Sequence, residues 1–201
     1  MKIGNDSILE KGFLLPYEND IFKAIKTVLR AAYWNDIYTK SGHKMSIQIT
    51  NCGDLGWFSD HNGYYYTEIN PNTNQIWPSM PNILKDLAIQ AAELAGYKDF
   101  IPDCCLLNRY SVGTKLSLHR DVDEKDTSLP IVSFSLGIPA EFLWGGLKRD
   151  DEVQKFALEH GDVLVFGGED RLRYHGISPI KPYKHAVLGD LRINLTFRKA
   201  G

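Results

Sequence analysis

Two stretches of the chain repeat apolar residues at helical spacing, and most of the remainder alternates them one on, one off. From Asp20 onward, Ile21, Phe22, Ile25, Val28, Leu29, Ala32 and Tyr33 form one stripe, which predicts an amphipathic helix. A second helix is predicted in SMPNILKDLAIQAAELAG, where Ile83, Leu84, Leu87, Ala91 and Leu94 share a face. Pro81 sits near its start and Gly96 reads as its stop. Met45, Ile47 and Ile49 instead alternate with Ser46 and Gln48, the period of a half-buried strand. GYYYTEI, CCLLNRY, KLSLH, IVSFSLG, EFLWGG, DVLVFGG and LRINLTFR follow as short strands separated by Gly, Pro and Asp. Many short strands with regular turns argue for a sandwich or barrel, and two helices ahead of a strand-rich remainder suggest a β-rich α+β fold with helices packed on one face, of which a jelly roll is one architecture. No repeat, low-complexity tract or linker divides residues 1–201, so a single domain is expected.

Three strands carry polar groups at the same period of two. Residues i and i+2 of a strand face one side. Asn108 therefore shares a face with Tyr110, and His119 with Asp121. Arg192, Asn194, Thr196 and Arg198 share a face opposite Leu191, Ile193, Leu195 and Phe197. An outer strand wetting its polar side would read the same way. If that face instead lines a barrel interior, two guanidiniums and an amide point into a cavity. Arg presents a fork that matches two carboxylate oxygens, so such a cavity would suit a ligand with two carboxylates.

Composition narrows the setting. A chain of 201 residues with 43% hydrophobic and 24% charged content can bury one good-sized core. The net charge of -2 offers no overall basic footprint for nucleic acid, although a local basic patch can supply one. MKIGNDSILEKGF has no apolar core of a signal peptide, and no apolar run approaches a membrane span; no membrane partner is expected. Cys52, Cys104 and Cys105, an odd number with an adjacent pair, make no disulfide framework and read as buried small hydrophobes in a reducing cytoplasm. Nothing in the pattern demands more than a monomer.

The stretch SLHRDVDE packs one imidazole and three carboxylates into a few residues after a predicted strand. A His-x-Asp pair with one distant His is the ligand set of a 2-His-1-carboxylate facial triad, which suits non-haem Fe(II) and leaves positions open. In isolation His119 reads more simply as a hydrogen-bonded loop histidine. The third ligand has five candidates: His43 and His61 upstream, His160, His175 and His185 downstream. His160 sits in a Gly161–Asp162 turn, and His185 in a Lys- and Pro-rich loop that reads as solvated. His175, leading from RYHGISP toward the Arg-bearing strand, is favoured by spacing.

LNRYSVGTKLSLHRDVDE, VSFSLGIPAEFLWGGLKR, LEHGDVLVFGGEDRLRYHGI and RINLTFR together resemble the bacterial AlkB-type oxidative dealkylases, which are Fe(II)- and 2-oxoglutarate-dependent dioxygenases. MSIQITNCGDLGW and GYYYTEINPNTNQIWPSMP resemble that family's nucleotide-recognition lid, covering about residues 45–70. The resemblance implies His119, Asp121 and His175 as iron ligands, and Asn108, Tyr110, Arg192, Asn194 and Arg198 as 2-oxoglutarate contacts. It implies Trp57 as the aromatic that stacks on the target base, Tyr64 and Arg149 beside the substrate strand, and Asp123 at the exocyclic amine, with Glu124 next to it. The implied cofactors are Fe(II), 2-oxoglutarate and O2. The implied activity is DNA repair by demethylation of 1-methyladenine and 3-methylcytosine, preferably single-stranded, with release of formaldehyde, succinate and CO2. Duplex DNA and RNA stay open as partners. So do two rivals: the same chemistry on RNA or protein, and a non-catalytic metal-binding jelly roll. Methylation at those ring nitrogens makes the base cationic, which gives the acids Asp121, Asp123 and Glu124 a role by Coulomb attraction. The lid position opposite Ile49, and the loop positions Phe166, Asp170 and Arg173, differ in side chain from the best-known bacterial member of that family.

Overall fold

The computed structural model describes residues 1–201. Its strands, numbered along the chain, form two facing antiparallel sheets. The larger has the order β1 (Ser7–Glu10), β13 (Val163–Phe166), β10 (Ile131–Gly137), β15 (Arg192–Arg198), β8 (Cys104–Tyr110), β3 (Lys44–Gly53), β2 (Asn35–Tyr38). The smaller has the order β12 (Gln154–Leu158), β11 (Ala140–Trp144), β14 (His175–Ile177), β9 (Leu116–His119). A hairpin of β4 (Gly56–Asp60) and β5 (Gly63–Thr67) stands apart from both, followed by the two-residue pair β6 (Ile69–Asn70) and β7 (Gln75–Ile76). This is a double-stranded β-helix, or jelly roll, one of the architectures that the strand pattern admits.

Helices α1 (Glu18–Ala31) and α2 (Asn82–Leu94) cover the outer face of the larger sheet. Alternation along its central strands then separates two cores. Ile193, Leu195 and Phe197 of β15, with Val132, Phe134 and Leu136 of β10, pack outward against Ile21, Ile25 and Val28 of α1 and Leu84, Leu87 and Ala91 of α2. Leu106 and Tyr110 of β8 and Leu164 and Phe166 of β13 face inward, where Phe142 and Trp144 of the smaller sheet meet them. Phe134 and Phe197 sit with ring centroids 4.6 Å apart. Truncating either to Ala would cost about 3–5 kcal/mol, the usual cost of an aromatic-sized cavity.

The helix signals are satisfied locally. Glu18 and Asp20 in the first turn of α1 and Arg30 in its last turn complement the helix dipole. Gly96 adopts φ +94, and the bonds Gly96 N–H to Glu93 O and Tyr97 N–H to Ala92 O close α2 as a Schellman motif. Two residues assigned to the apolar stripes are in water: Tyr33 is 75% exposed and Leu94 62%. Both fall at or beyond the helix C-terminal ends. The edge strands β1 and β2 were not legible as strands, being short and flanked by no clean alternation. Of residues 45–70, the first part is β3 of the large sheet, with Asn51 and Cys52 buried within it. All three cysteines are free and buried. No helix is long and apolar enough to cross a membrane.

Candidate metal centre

His119 ends β9, Asp121 follows two residues later, and His175 opens β14. Because β14 pairs with β9 in a register that sets His175 opposite His119, the two imidazoles meet with ring centroids 4.5 Å apart. Gly176 makes this approach possible: a Cβ there would stand 2.5 Å from the Leu116 carbonyl oxygen. Asp121 Oδ1 lies 3.6 Å from His119 Nε2, and Oδ2 lies 3.8 Å from His175 Nε2. The three ligating atoms all lie within 4.8 Å of one another.

Backbone carbonyls decide the state of both rings. His119 Nδ1 is 2.9 Å from Ser117 O, and His175 Nδ1 is 3.0 Å from Arg173 O. A carbonyl only accepts, so both Nδ1 atoms carry the hydrogen. Both Nε2 lone pairs are left free toward Asp121, as a metal-binding histidine requires. Burial first, then the neighbouring His119, pushes His175 down to about 4 against the pull of Asp121, which keeps the ring neutral. Burial alone would raise Asp121, but Arg198 and then the two histidines outweigh it and hold the carboxyl well below the usual carboxylate range.

The triad stands in the wall of a cavity of about 620 Å³ between the two sheets. The polar face of β15 lines it as the period of two predicts: Arg192, Asn194, Thr196 and Arg198, with Asn108 and Tyr110 of β8 beside them. Asn108 donates to Asn194 at 3.3 Å, its direct partner in the strand register. The two arginines differ. Arg198 is already paired, with Nη2 at 2.6 Å from Asp121. Arg192 is 1% exposed and reaches only the Ser135 hydroxyl, at 3.1 Å; its Nε and Nη1 are buried with no partner. Burial lowers it to about 10, so it remains a cation at neutral pH. Burial likewise pushes the Tyr110 phenol up to about 12.

The hairpin reaches over this cavity. The Trp57 and Tyr64 rings stack at 5.6 Å and 15°, both lining the rim, and Tyr64 is half-exposed. Asn51 pins the start of β4 by accepting from Trp57 N–H and donating to Trp57 O. Asp123 is exposed and accepts from Trp57 Nε1 at 3.0 Å. Arg149 lies off the cavity wall, its guanidinium 5.7 Å from the Tyr174 ring. Glu124, implied beside the base, is buried. It is 7% exposed, and its oxygens meet Arg171, Arg198 and Tyr66.

Several residues escaped the sequence reading. Arg171 is 2% exposed and donates to Leu129 O, Asp121 O and Glu124, so it ties together the loop that carries Asp121. Nothing in the periodicity of GGEDRLRYH distinguishes it from its neighbours. His185 is half-buried rather than free in the loop: its ring sits 4.3 Å from that of His160, in a second cluster with Glu18. Of the positions that depart from the family's pattern, Ile49 is core, Asp170 is fully buried and accepts from Asp6 N–H, Ser7 and Arg173, and Phe166 packs its ring 5.0 Å from His175.

Comparison with known proteins agrees with this geometry. Residues 8–198 match the family described as the 2OG-Fe(II) oxygenase superfamily. The chain is 48% identical to the alpha-ketoglutarate-dependent dioxygenase AlkB of Escherichia coli (strain K12), over 97% of this chain and 90% of that protein. It is 35% identical to the DNA N(6)-methyladenine demethylase ALKBH1D of Arabidopsis thaliana, over 95% of this chain and 48% of that protein. The solved structure of OsALKBH1 superposes with a TM-score of 0.83 at 32% identity, covering 98% of this chain and all of that one.

Proposed function

This chain belongs to the 2OG-Fe(II) oxygenase superfamily and is an Fe(II)- and 2-oxoglutarate-dependent dioxygenase; on that premise we propose that it oxidatively removes alkyl groups from ring nitrogens of nucleic-acid bases, with 1-methyladenine and 3-methylcytosine in single-stranded DNA as its preferred substrates.

The residues present fit both groups. Two imidazole lone pairs and one carboxylate converge, a donor set that suits non-haem Fe(II) and leaves positions open. Arg192 is a buried cation with two unpaired N–H groups, and leaving such donors without an acceptor costs about 1–3 kcal/mol or more. A dicarboxylate in the cavity satisfies them. His119, Asp121 and His175 would hold the iron; Arg192 and Arg198 would hold 2-oxoglutarate, with Asn108, Tyr110 and Asn194 along the same wall. When bound, the two groups use O2 to convert 2-oxoglutarate to succinate and CO2 and to hydroxylate the alkyl carbon, which leaves a methylated base as formaldehyde.

The chain's own residues position and select. A base inside a duplex must flip out, at a cost of a few kcal/mol, and a single strand avoids that cost. Stacking on an aromatic recovers about 1–3 kcal/mol per base. The stacked Trp57–Tyr64 pair at the rim of the cavity that contains the triad is the observation that carries the nucleic-acid reading. Charge selection narrows to one residue. Asp121 is paired with Arg198, and Glu124 with Arg171 and Arg198, whereas Asp123 has no cationic partner. Its attraction for a cationic base at 4 Å is only about 1 kcal/mol in open water and rises to about 4 at an effective dielectric of 20. Discrimination therefore grows as the bound strand covers the rim. Arg149 and Tyr64 would lie along that strand.

The test is mass spectrometry of a single-stranded DNA oligonucleotide carrying one 1-methyladenine, incubated with the iron-loaded protein, 2-oxoglutarate and oxygen. Loss of the methyl mass that requires 2-oxoglutarate is the expected result. Succinate formation without methyl loss from this strand or its RNA counterpart would overturn the nucleic-acid reading.

A further inference from the structure

Glu124 lines the cavity beside the residues that face the base, yet both of its oxygens are already engaged by neighbouring side chains. Its side chain is 2% exposed. Oε2 accepts from Arg171 Nη2 at 2.9 Å. Oε1 accepts from the Tyr66 hydroxyl at 2.7 Å and lies 3.0 Å from Arg198 Nε, close enough for an ion pair though not aligned for a hydrogen bond. We propose that Glu124 is a positioning residue for the cosubstrate arginine Arg198 and for the loop that carries Asp121, linked to the lid through Tyr66, and is not a contact of the base. The inference rests on the reading of the cavity as an iron and 2-oxoglutarate site.

Two buried guanidiniums converge on this one carboxylate, and each does something different with its other donors. Arg171 donates Nη1 to the Asp121 carbonyl at 2.8 Å and Nε to the Leu129 carbonyl at 3.2 Å, so it fixes both ends of the segment 121–129. Arg198 donates Nη2 to the Asp121 carboxylate. Glu124 thus screens two like charges from each other and pairs electrostatically with Arg198 near Nε, while Nη1 is buried with no hydrogen-bond partner. Without that charge, Arg198 would be held by Asp121 alone and would compete with a metal for the same carboxylate. Removing one partner of a buried pair leaves an uncompensated buried charge, which is strongly destabilising.

Tyr66 extends the link to the hairpin. It stands directly opposite Trp57 in the β4–β5 register. Its phenol is raised well above its ordinary value, chiefly by burial, so it acts as a hydrogen donor to Glu124. The hairpin that presents the stacking ring is therefore tied, through Tyr66 of its second strand, to the carboxylate that sets the cosubstrate arginine.

The experiment is calorimetric titration of 2-oxoglutarate into Mn(II)-loaded full-length protein, without nucleic acid, for the wild type, Glu124→Gln and Tyr66→Phe. Glu124→Gln should weaken 2-oxoglutarate binding by about tenfold or more, the scale on which groups behind a metal site act. Tyr66→Phe should weaken it a few-fold. In steady-state assays the KM for 2-oxoglutarate should rise in both variants while the KM for the alkylated strand holds. Wild-type 2-oxoglutarate affinity in Glu124→Gln, with a raised KM for the strand, would overturn the proposal in favour of a base contact. If Glu124→Gln does not fold, Tyr66→Phe decides: a few-fold loss supports the link and unchanged affinity rejects it. Failure of the wild-type protein to bind 2-oxoglutarate at all would instead refute the reading of the cavity.

Discussion

The molecule contains two clusters of one carboxylate and two histidines, and they have opposite chemistry. In the first, His119, Asp121 and His175, each Nδ1 faces a backbone carbonyl. In the second, Glu18, His160 and His185, each Nδ1 faces backbone N–H groups: Gly137 for His160, Val187 and Leu188 for His185. A backbone N–H only donates, so these Nδ1 atoms accept and the hydrogens sit on Nε2. The first pair presents lone pairs to its centre and the second presents hydrogens. Turning the second pair into ligands would set N–H against N–H and strand those backbone donors, at about 1–3 kcal/mol each. Donor inventory and spacing do not make a metal site; the partner of the far ring nitrogen does.

The largest effect should come from His119→Ala. Metal content, measured by elemental analysis on folded protein, should fall from one equivalent per chain to background, and turnover with it. A residual equivalent held by the variant would show that the Glu18 cluster binds metal after all, and the comparison would break.

A smaller effect should appear with pH. Burial first, then the neighbouring His185, lowers His160 below its ordinary value, against the pull of Glu18 and Asp162. The unfolded chain takes up a proton as pH falls through about 6.5, while the folded ring resists until lower pH. Stability should therefore be full above that point and decline below it, levelling off once the folded ring also protonates. Denaturant melts of wild type and His160→Gln across pH 5–8 would check this, since glutamine can still accept from Gly137 but has no proton to gain. An equally steep decline in the variant would assign the slope elsewhere.

The smallest effect should be that of His185→Ala. It strands two backbone donors near the surface, for a stability loss of about 1 kcal/mol. Metal stoichiometry and 2-oxoglutarate affinity should not move; if either fell, the two clusters would be coupled across the sheet.

The sequence by itself determined the alternation of β15 and β8, the two helices and the His-x-Asp step, because each depends on side chains a few residues apart on one element. That was enough to set Asn108 with Tyr110, and Arg192 with Asn194 and Arg198, on shared faces; the pairing of β8 with β15 then made those faces one inner wall. Tertiary structure alone decided the rest. His175 joins His119 only through a register between strands more than fifty residues apart, with Gly176 at the point of closest approach. Alternation singles out Arg192 and nothing singles out Arg171, yet both are buried; the fold gives Arg171 three acceptors and leaves Arg192 two unpaired donors. Glu124 reads as a loop acid and is buried, because three segments close over it. The state of each histidine was likewise not legible in the sequence. Residue type offers two ring nitrogens, and only the backbone group that folding brings to one of them fixes what the other can do.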